Sequence, residues 1–205
     1  MQVFLLDISV VSEETVRALA ETLPAWRREQ ADRCRNASAR RQCILAFCLV
    51  RYAIRTADPA ADTENWIIGE HGKPCLAAKT PFFSLSHTAH GVAVAVSTEG
   101  EVGIDTEAIL PRRESLLRRV CSDSEIEEIS ASEDPSSAFI RLWSAKEAVL
   151  KQSGIGIARL SEMRHIPLNG VKNTQISFGN TSHWLSVTPA EALPALQWVP
   201  LVQLT

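Results

Sequence analysis

Residues 43–54, CILAFCLVRYAI, constrain the fold of this chain more than any other stretch. They lie in a segment, 13–57, with helical spacing and few breakers, and they are apolar nearly all the way round. A helix of that kind has to be buried on most of its sides. The chain therefore needs a substantial core, and at 205 residues it is long enough to build one, as one large domain or two small ones packed together. It should do so without disulfide support.

The rest of the chain reads as alternating blocks. An apolar run at the N-terminus, interrupted by Asp7 and preceded by no basic residues, reads as a first strand and not as a secretion signal. Residues 58–81, with Pro59, Gly69, Gly72, Pro74 and Pro81, read as loops around short strands. FFSLS (82–86), VAVAV (92–96) and VGIDTE (102–107) read as strands, the last two as a hairpin with its turn at 98–101. Ser122 and Glu125 have the spacing of a capping box that opens a short helix. Asp134, Pro135 and Gly154 are the start and stop signals of a longer one. Beyond residue 157 strand-like pieces alternate with turns. The fold class expected is α+β, with two similar halves, 1–100 and 101–205, each carrying a small sheet and a long helix.

Charge and cysteine content narrow the setting. Nine arginines and three acids between residues 17 and 55 give that segment a net +6 inside a chain of net −3. It is either a solvated helical face or a landing site for an anionic ligand. No run of 18 apolar residues occurs, so no membrane span is expected. The five cysteines are odd in number and lack a C-x-x-C pair, which fits reduced thiols in a cytoplasmic protein.

The residues able to carry chemistry fall in three places. Asp105 and Glu107 are two apart on a strand, so they share a face with Cα atoms about 6 to 7 Å apart. On the long helix Trp143, Glu147 and Lys151 form a stripe by their four-residue spacing, with Lys146 beside it. If strand and stripe face each other, three carboxylates converge, and a hard divalent cation such as Mg²⁺ relieves the conflict. Each feature alone is more often a surface ion pair; their joint occurrence with apolar flanks is the stronger signal. Third, Ser86 and His87 are adjacent, which sends them to opposite faces of a strand and argues against a serine-hydrolase pair. Hydroxyls and imidazole near basic residues suit a phosphate.

These residues carry a resemblance to a known family. GIDTE (103–107), followed by WSAKEAVLK (143–151), is similar to the paired signature of the 4'-phosphopantetheinyl transferases. FSLSHT (83–88) and GKP (72–74) resemble two further family segments in the same order. The length is that of the larger, Sfp-type group with its two pseudo-symmetric halves, which implies a monomer. The resemblance implies transfer of the phosphopantetheine arm of coenzyme A to a serine of an acyl or peptidyl carrier protein. It implies Mg²⁺, or Mn²⁺, on Asp105, Glu107 and Glu147, with Glu147 also as base. Lys151 would contact the pyrophosphate, and Ser86, His87 and Lys73 the 3'-phosphate and adenosine end. Lys146 and one of the arginines of the +6 segment, Arg41, Arg40 or Arg51, would complete the coenzyme A contacts. Thr106 departs from the apolar residue usual between the two acids, and it bears on packing. Trp143 reads as a core anchor. The four arginines of LPRRESLLRR (110–119) would steer an acidic carrier. Two other classes remain: a metal-dependent nuclease or phosphodiesterase, disfavoured by the acid-rich second half, and a non-catalytic adenine-nucleotide binding module, which would not need Lys151 and three acids together.

Overall fold

The computed structural model describes residues 1–111, 114–155 and 160–204. Strand β1 (Gln2–Asp7) leads into helices α1 (Glu13–Glu21), α2 (Ala25–Asp32) and α3 (Ala37–Ala57), then strands β2 (Trp66–Ile68), β3 (Pro74–Leu76), β4 (Phe82–His87) and β5 (Gly91–Ser97). There follow β6 (Gly103–Ala108), helices α4 (Glu114–Val120), α5 (Asp123–Ala131) and α6 (Pro135–Ser153), and strands β7 (Lys172–Phe178), β8 (Thr181–Thr188) and β9 (Leu196–Trp198). Short 3-10 turns at Leu160–His165 and Leu201–Gln203 complete the α+β arrangement.

The sequence signals for helix ends act as read. Ser122 and Glu125 close both bonds of the capping box on α5, and Asp134 caps α6 ahead of Pro135. Gly154 ends α6 with φ of 70°, in the left-handed region that glycine enters without steric cost. The apolar α3 is buried from Ile44 to Ala46 onward through Val50, and it lies on β5, β1 and β4.

Two sheets organise the molecule. The first is four-stranded in the order β4-β5-β1-β9, and the second has the order β6-β8-β7; β2 and β3 form a separate ribbon. The expected β5–β6 hairpin does not form. Both edges of β5 are taken, by β4 and β1, so the chain crosses at 98–102 from the first sheet to the second, where β6 pairs with β8. Near the end of the chain β9 returns to lie parallel to β1, so the first sheet draws strands from both ends.

β5 is buried on both faces, and its alternation reflects this. Val92, Val94 and Val96 join the core under α3, while Ala93 and Ala95 join a second core with Ile104, Leu185 and Val187 from the other sheet. A third core lies among α4, α5 and α6. Edge strands β4 and β6 meet along a seam with side chains in place of a backbone ladder. Ser84 Oγ accepts from the Ile104 N–H at 3.2 Å, and Ser86 Oγ donates to Asp105 Oδ1 at 2.9 Å. On the other side β6 presses against α6: a Cβ on Gly103 would lie 1.9 Å from the Ala148 carbonyl oxygen. Among the described residues no helix is long and apolar enough to cross a membrane.

Candidate active site

The seam and the close β6–α6 packing bring the predicted acids together. Asp105 and Glu107 point from β6 to the side that α6 covers, and Thr106 is buried on the other. From α6, Trp143, Glu147 and Lys151 enter the same cleft, a space of about 300 Å³ that Ser86 and His87 of β4 also line. Asp105 is 2% exposed and Glu147 6%. Asp105 Oδ1 accepts from Lys151 Nζ at 2.7 Å as well as from Ser86 Oγ. Glu107 accepts from the Trp143 indole N–H at 3.2 Å, and Ser144 Oγ donates to the Asp105 carbonyl at 3.2 Å, which fixes strand to helix.

Three carboxylates here face one ammonium, and their proton affinities respond. Burial pushes the Glu147 carboxyl up to about 7, reinforced by Asp105 and Glu107 and opposed by Lys151. Burial and then Asp105 also raise Glu107, against the Trp143 bond and Lys151. His87 is held below the ordinary histidine value, first by the protein packed round its ring and then by the charges of Lys151 and Arg27. Asp105 Oδ2 and Glu147 Oε1 are buried with no hydrogen-bond partner. Among the described residues no three acidic, histidine or cysteine side chains are arranged as a ready-made metal site. The donor chemistry nevertheless suits Mg²⁺, which binds through one or two carboxylates and keeps its other positions for water and phosphate.

A second cavity of about 450 Å³ opens beside the first, with His87 on the border of both. Arg27 of α2 lines it, donating to Gln30 Oε1 at 2.7 Å and to the Cys43 carbonyl at 2.9 Å. Its guanidinium lies over the rings of Phe47 and Trp66, 5.4 and 5.8 Å from their centroids, and its buried Nε has no partner. The arginines expected at the phosphates were Arg40, Arg41 and Arg51. The signal available was weak: Arg27 follows Trp26 on α2, but nothing in the spacing separates it from its eight neighbours.

Several expected contacts fall elsewhere. Lys146 is fully buried on another side of α6, donating to the Val120 carbonyl at 2.9 Å and to Glu125 at 2.7 Å, so it braces α5 and does not reach the cleft. One helical step from Glu147 turns it about 100° away. Arg41 pairs with Glu13 at 2.9 Å and donates to the carbonyls of Ile8 and Val11, which ties α3 to the loop after β1. Arg40 pairs with Asp32 at 3.1 Å, and Arg51 donates to the Thr22 carbonyl at 2.9 Å. None of these three lines the two cavities. Lys73 clasps the other part of the chain, its Nζ donating to Glu101, to the Val102 carbonyl and to the Gln152 carbonyl. Ser86 spends its proton on Asp105 and so belongs with the acids, leaving His87 to face the second cavity. Trp143 packs on the third core as expected, and in addition holds Glu107. Of the arginines at 110–119, Arg118 and Arg119 are exposed on α4, whereas Arg112 and Arg113 lie outside the described residues.

Comparisons with known proteins point the same way. Residues 101–190, which include β6, α6 and β8, match the model of the "4'-phosphopantetheinyl transferase superfamily". The chain is 45% identical over 93 residues to "4'-phosphopantetheinyl transferase AcpT" of Salmonella typhi, covering 43% of this chain and 48% of that protein. It thus spans about half the length of that type of relative. It is 30% identical over 183 residues to "4'-phosphopantetheinyl transferase psf-1" of Bacillus pumilus, covering 79% of this chain and 76% of that protein. It is 28% identical over 162 residues to "4'-phosphopantetheinyl transferase ffp" of Bacillus subtilis. With the acids of β6 and α6 inside the matched region and a relative aligned over three quarters of both lengths, this chain belongs to the 4'-phosphopantetheinyl transferase superfamily.

Proposed function

We propose that this protein transfers the 4'-phosphopantetheine arm of coenzyme A to a serine hydroxyl of an acyl or peptidyl carrier protein, releasing adenosine 3',5'-bisphosphate. One observation carries the reading: three carboxylates and one lysine meet in a single cleft, with two buried carboxylate oxygens lacking a partner. A pyrophosphate with its cation is the kind of ligand that such a cleft is short of.

The chain's own residues supply the remaining chemistry. Glu147, poised near neutrality, takes the proton of the incoming serine, whose oxygen forms the new bond to the pantetheine-bearing phosphorus as the pyrophosphate bridge breaks. Lys151, held in place by Asp105, sets positive charge against the leaving phosphate. Asp105, Glu107 and Glu147 would hold Mg²⁺ or Mn²⁺, which when bound supplies the charge that balances the acids and polarises the pyrophosphate. The adenosine and 3'-phosphate end lies in the second cavity, between His87 and Arg27. An adjoining, mainly apolar cavity of about 270 Å³, with Phe83, Leu85 and Leu150 in its wall, takes the pantetheine arm.

In this reading residues 1–100 hold the coenzyme and 101–205 the catalytic acids, in a cytoplasmic monomer. Arg118 and Arg119, exposed on α4, would meet an acidic carrier surface. The test is incubation with coenzyme A, Mg²⁺ and a panel of apo carrier proteins, read as a mass gain of one phosphopantetheine on the carrier. A gain on any carrier is expected. Nucleic-acid cleavage with no gain on any carrier would replace the reading with a nuclease, and coenzyme A binding without either would leave a binding module.

A further inference from the structure

The hairpin turn that carries His87 is anchored from the second sheet by a residue on the face of that sheet opposite the acids. Thr88 follows His87 directly and opens the β4–β5 turn, where its N–H donates to the Gly91 carbonyl at 2.9 Å. Its Oγ1 accepts from the N–H of His90 at 3.2 Å and from the N–H of Gly91 at 3.3 Å. A hydroxyl has two acceptor positions and one proton. With both lone pairs engaged by backbone N–H groups, the Thr88 proton has one destination, His183 Nε2, 3.1 Å away on β8. That nitrogen therefore acts as acceptor. The other ring nitrogen, Nδ1, lies 2.9 Å from the Thr181 carbonyl oxygen, which only accepts, so Nδ1 carries the ring proton. One tautomer satisfies every partner: Nδ1 protonated, Nε2 bare.

We infer that neutral His183 is a positioning residue for His87, acting through Thr88 to fix the end of the β4–β5 hairpin against the second sheet. His183 has no exposed surface, and Phe178 packs edge-on to its ring with centroids 5.1 Å apart. The titratable groups facing it are Asp7 of β1 and His90 of the turn, the latter edge-on at 5.7 Å. Protonation of Nε2 would set a donor against a hydroxyl whose lone pairs are already used, and the anchor would be lost. Burial opposes that protonation and holds the ring below the ordinary histidine value, with His90 acting in the same direction and the Thr181 bond and Asp7 against it. His87, one residue before the anchor, borders both the acid cleft and the Arg27 cavity, whereas Glu147 and Lys151 stand on α6 and do not depend on the turn.

The consequence is selective. Loss of the anchor should weaken coenzyme binding and leave the chemical step alone, a statement that rests on the proposed transferase reading for its kinetic arm. His183→Phe keeps a flat ring and removes the acceptor; His183→Gln offers an amide oxygen near the place of Nε2. The expected result is a KM for coenzyme A raised about tenfold in His183→Phe with kcat within about twofold of wild type, the size of one lost hydrogen bond, and recovery in His183→Gln. If His183→Phe does not fold, Thr88→Val with Thr88→Ser as its rescue reads the same split. A fall in kcat with unchanged KM would mean a merely structural role and would overturn the inference. Histidine ring ¹⁵N spectra of the unliganded protein decide it independently of activity. They should show His183 protonated at Nδ1 and bare at Nε2 from pH 6 to 8, and His87 signals displaced in His183→Phe and restored in His183→Gln. The opposite tautomer, or undisturbed His87 signals, contradicts the inference even if wild type proves inactive on every carrier.

Discussion

Glu147 shows how one side chain answers to several forces at once. Buried among like charges, it binds its proton more tightly in the folded chain than in the unfolded one, so its folded value of about 7 stands above the ordinary 4.5. The sign follows by linkage: the stability associated with this group is fully present below pH 4.5 and is lost as pH rises through 7. Glu147→Gln mimics the protonated form. Without Mg²⁺ it should melt higher than wild type at pH 8, by roughly 5 °C, with the gap closing at pH 4, as a pair of calorimetric scans would show. Added Mg²⁺ should raise the wild-type melting point at pH 8 and leave the variant nearly unmoved. Asp105→Ala removes the acceptor of Lys151 and Ser86, and should abolish transfer while the circular dichroism spectrum persists. The convergence of Asp105, Glu107, Glu147 and Lys151 on one cleft was legible in the sequence because a two-residue strand period and a four-residue helix period fix their faces. Arg27 and Lys146 were not, since a long charged side chain reaches whatever tertiary packing places within its radius.

At the scale of elements, the site exists because β6 is squeezed between α6 and β4. Gly103 permits the first contact: a methyl group there would strike the backbone of α6, which has no flexible end to yield. Gly103→Ala should therefore cost on the order of 2 kcal/mol and lower the melting temperature by several degrees. Lys146→Met tests the reassignment of its neighbour. It should destabilise the α5–α6 contact by about 3 kcal/mol while the remaining folded enzyme keeps its KM for coenzyme A. A raised KM with unchanged stability would return Lys146 to the ligand. Helix boundaries were legible because capping is local: Ser122, Asp134 and Gly154 act within one turn of the chain. The separation of β5 from β6 is not legible locally, because a strand's partner is a non-local matter. VAVAV and GIDTE are adjacent in sequence and joined by turn residues, yet β1 and β4 occupy the edges that β6 would need.

Across the whole molecule the two sheets are joined more than juxtaposed. Alanines of β5 share one core with Ile104, Leu185 and Val187, the hydroxyls of β4 bond to β6, and β9 ties the end of the chain to β1. Such continuity predicts one cooperative unfolding transition, seen alike by tryptophan fluorescence and by circular dichroism in urea; two separated transitions would mean that the sheets fold as independent units. The same continuity puts the cleft at the junction, where edge strands have polar side chains to spare and where a ligand can touch both parts. On the proposed reading the acids of β6 and α6 perform phosphopantetheine transfer there. The measurement that decides it is the intact mass of an apo carrier protein after incubation with coenzyme A and Mg²⁺, with wild type and Glu147→Gln side by side. One added phosphopantetheine with wild type and none with the variant is the predicted result; equal modification by both, or none by wild type on any carrier, contradicts it.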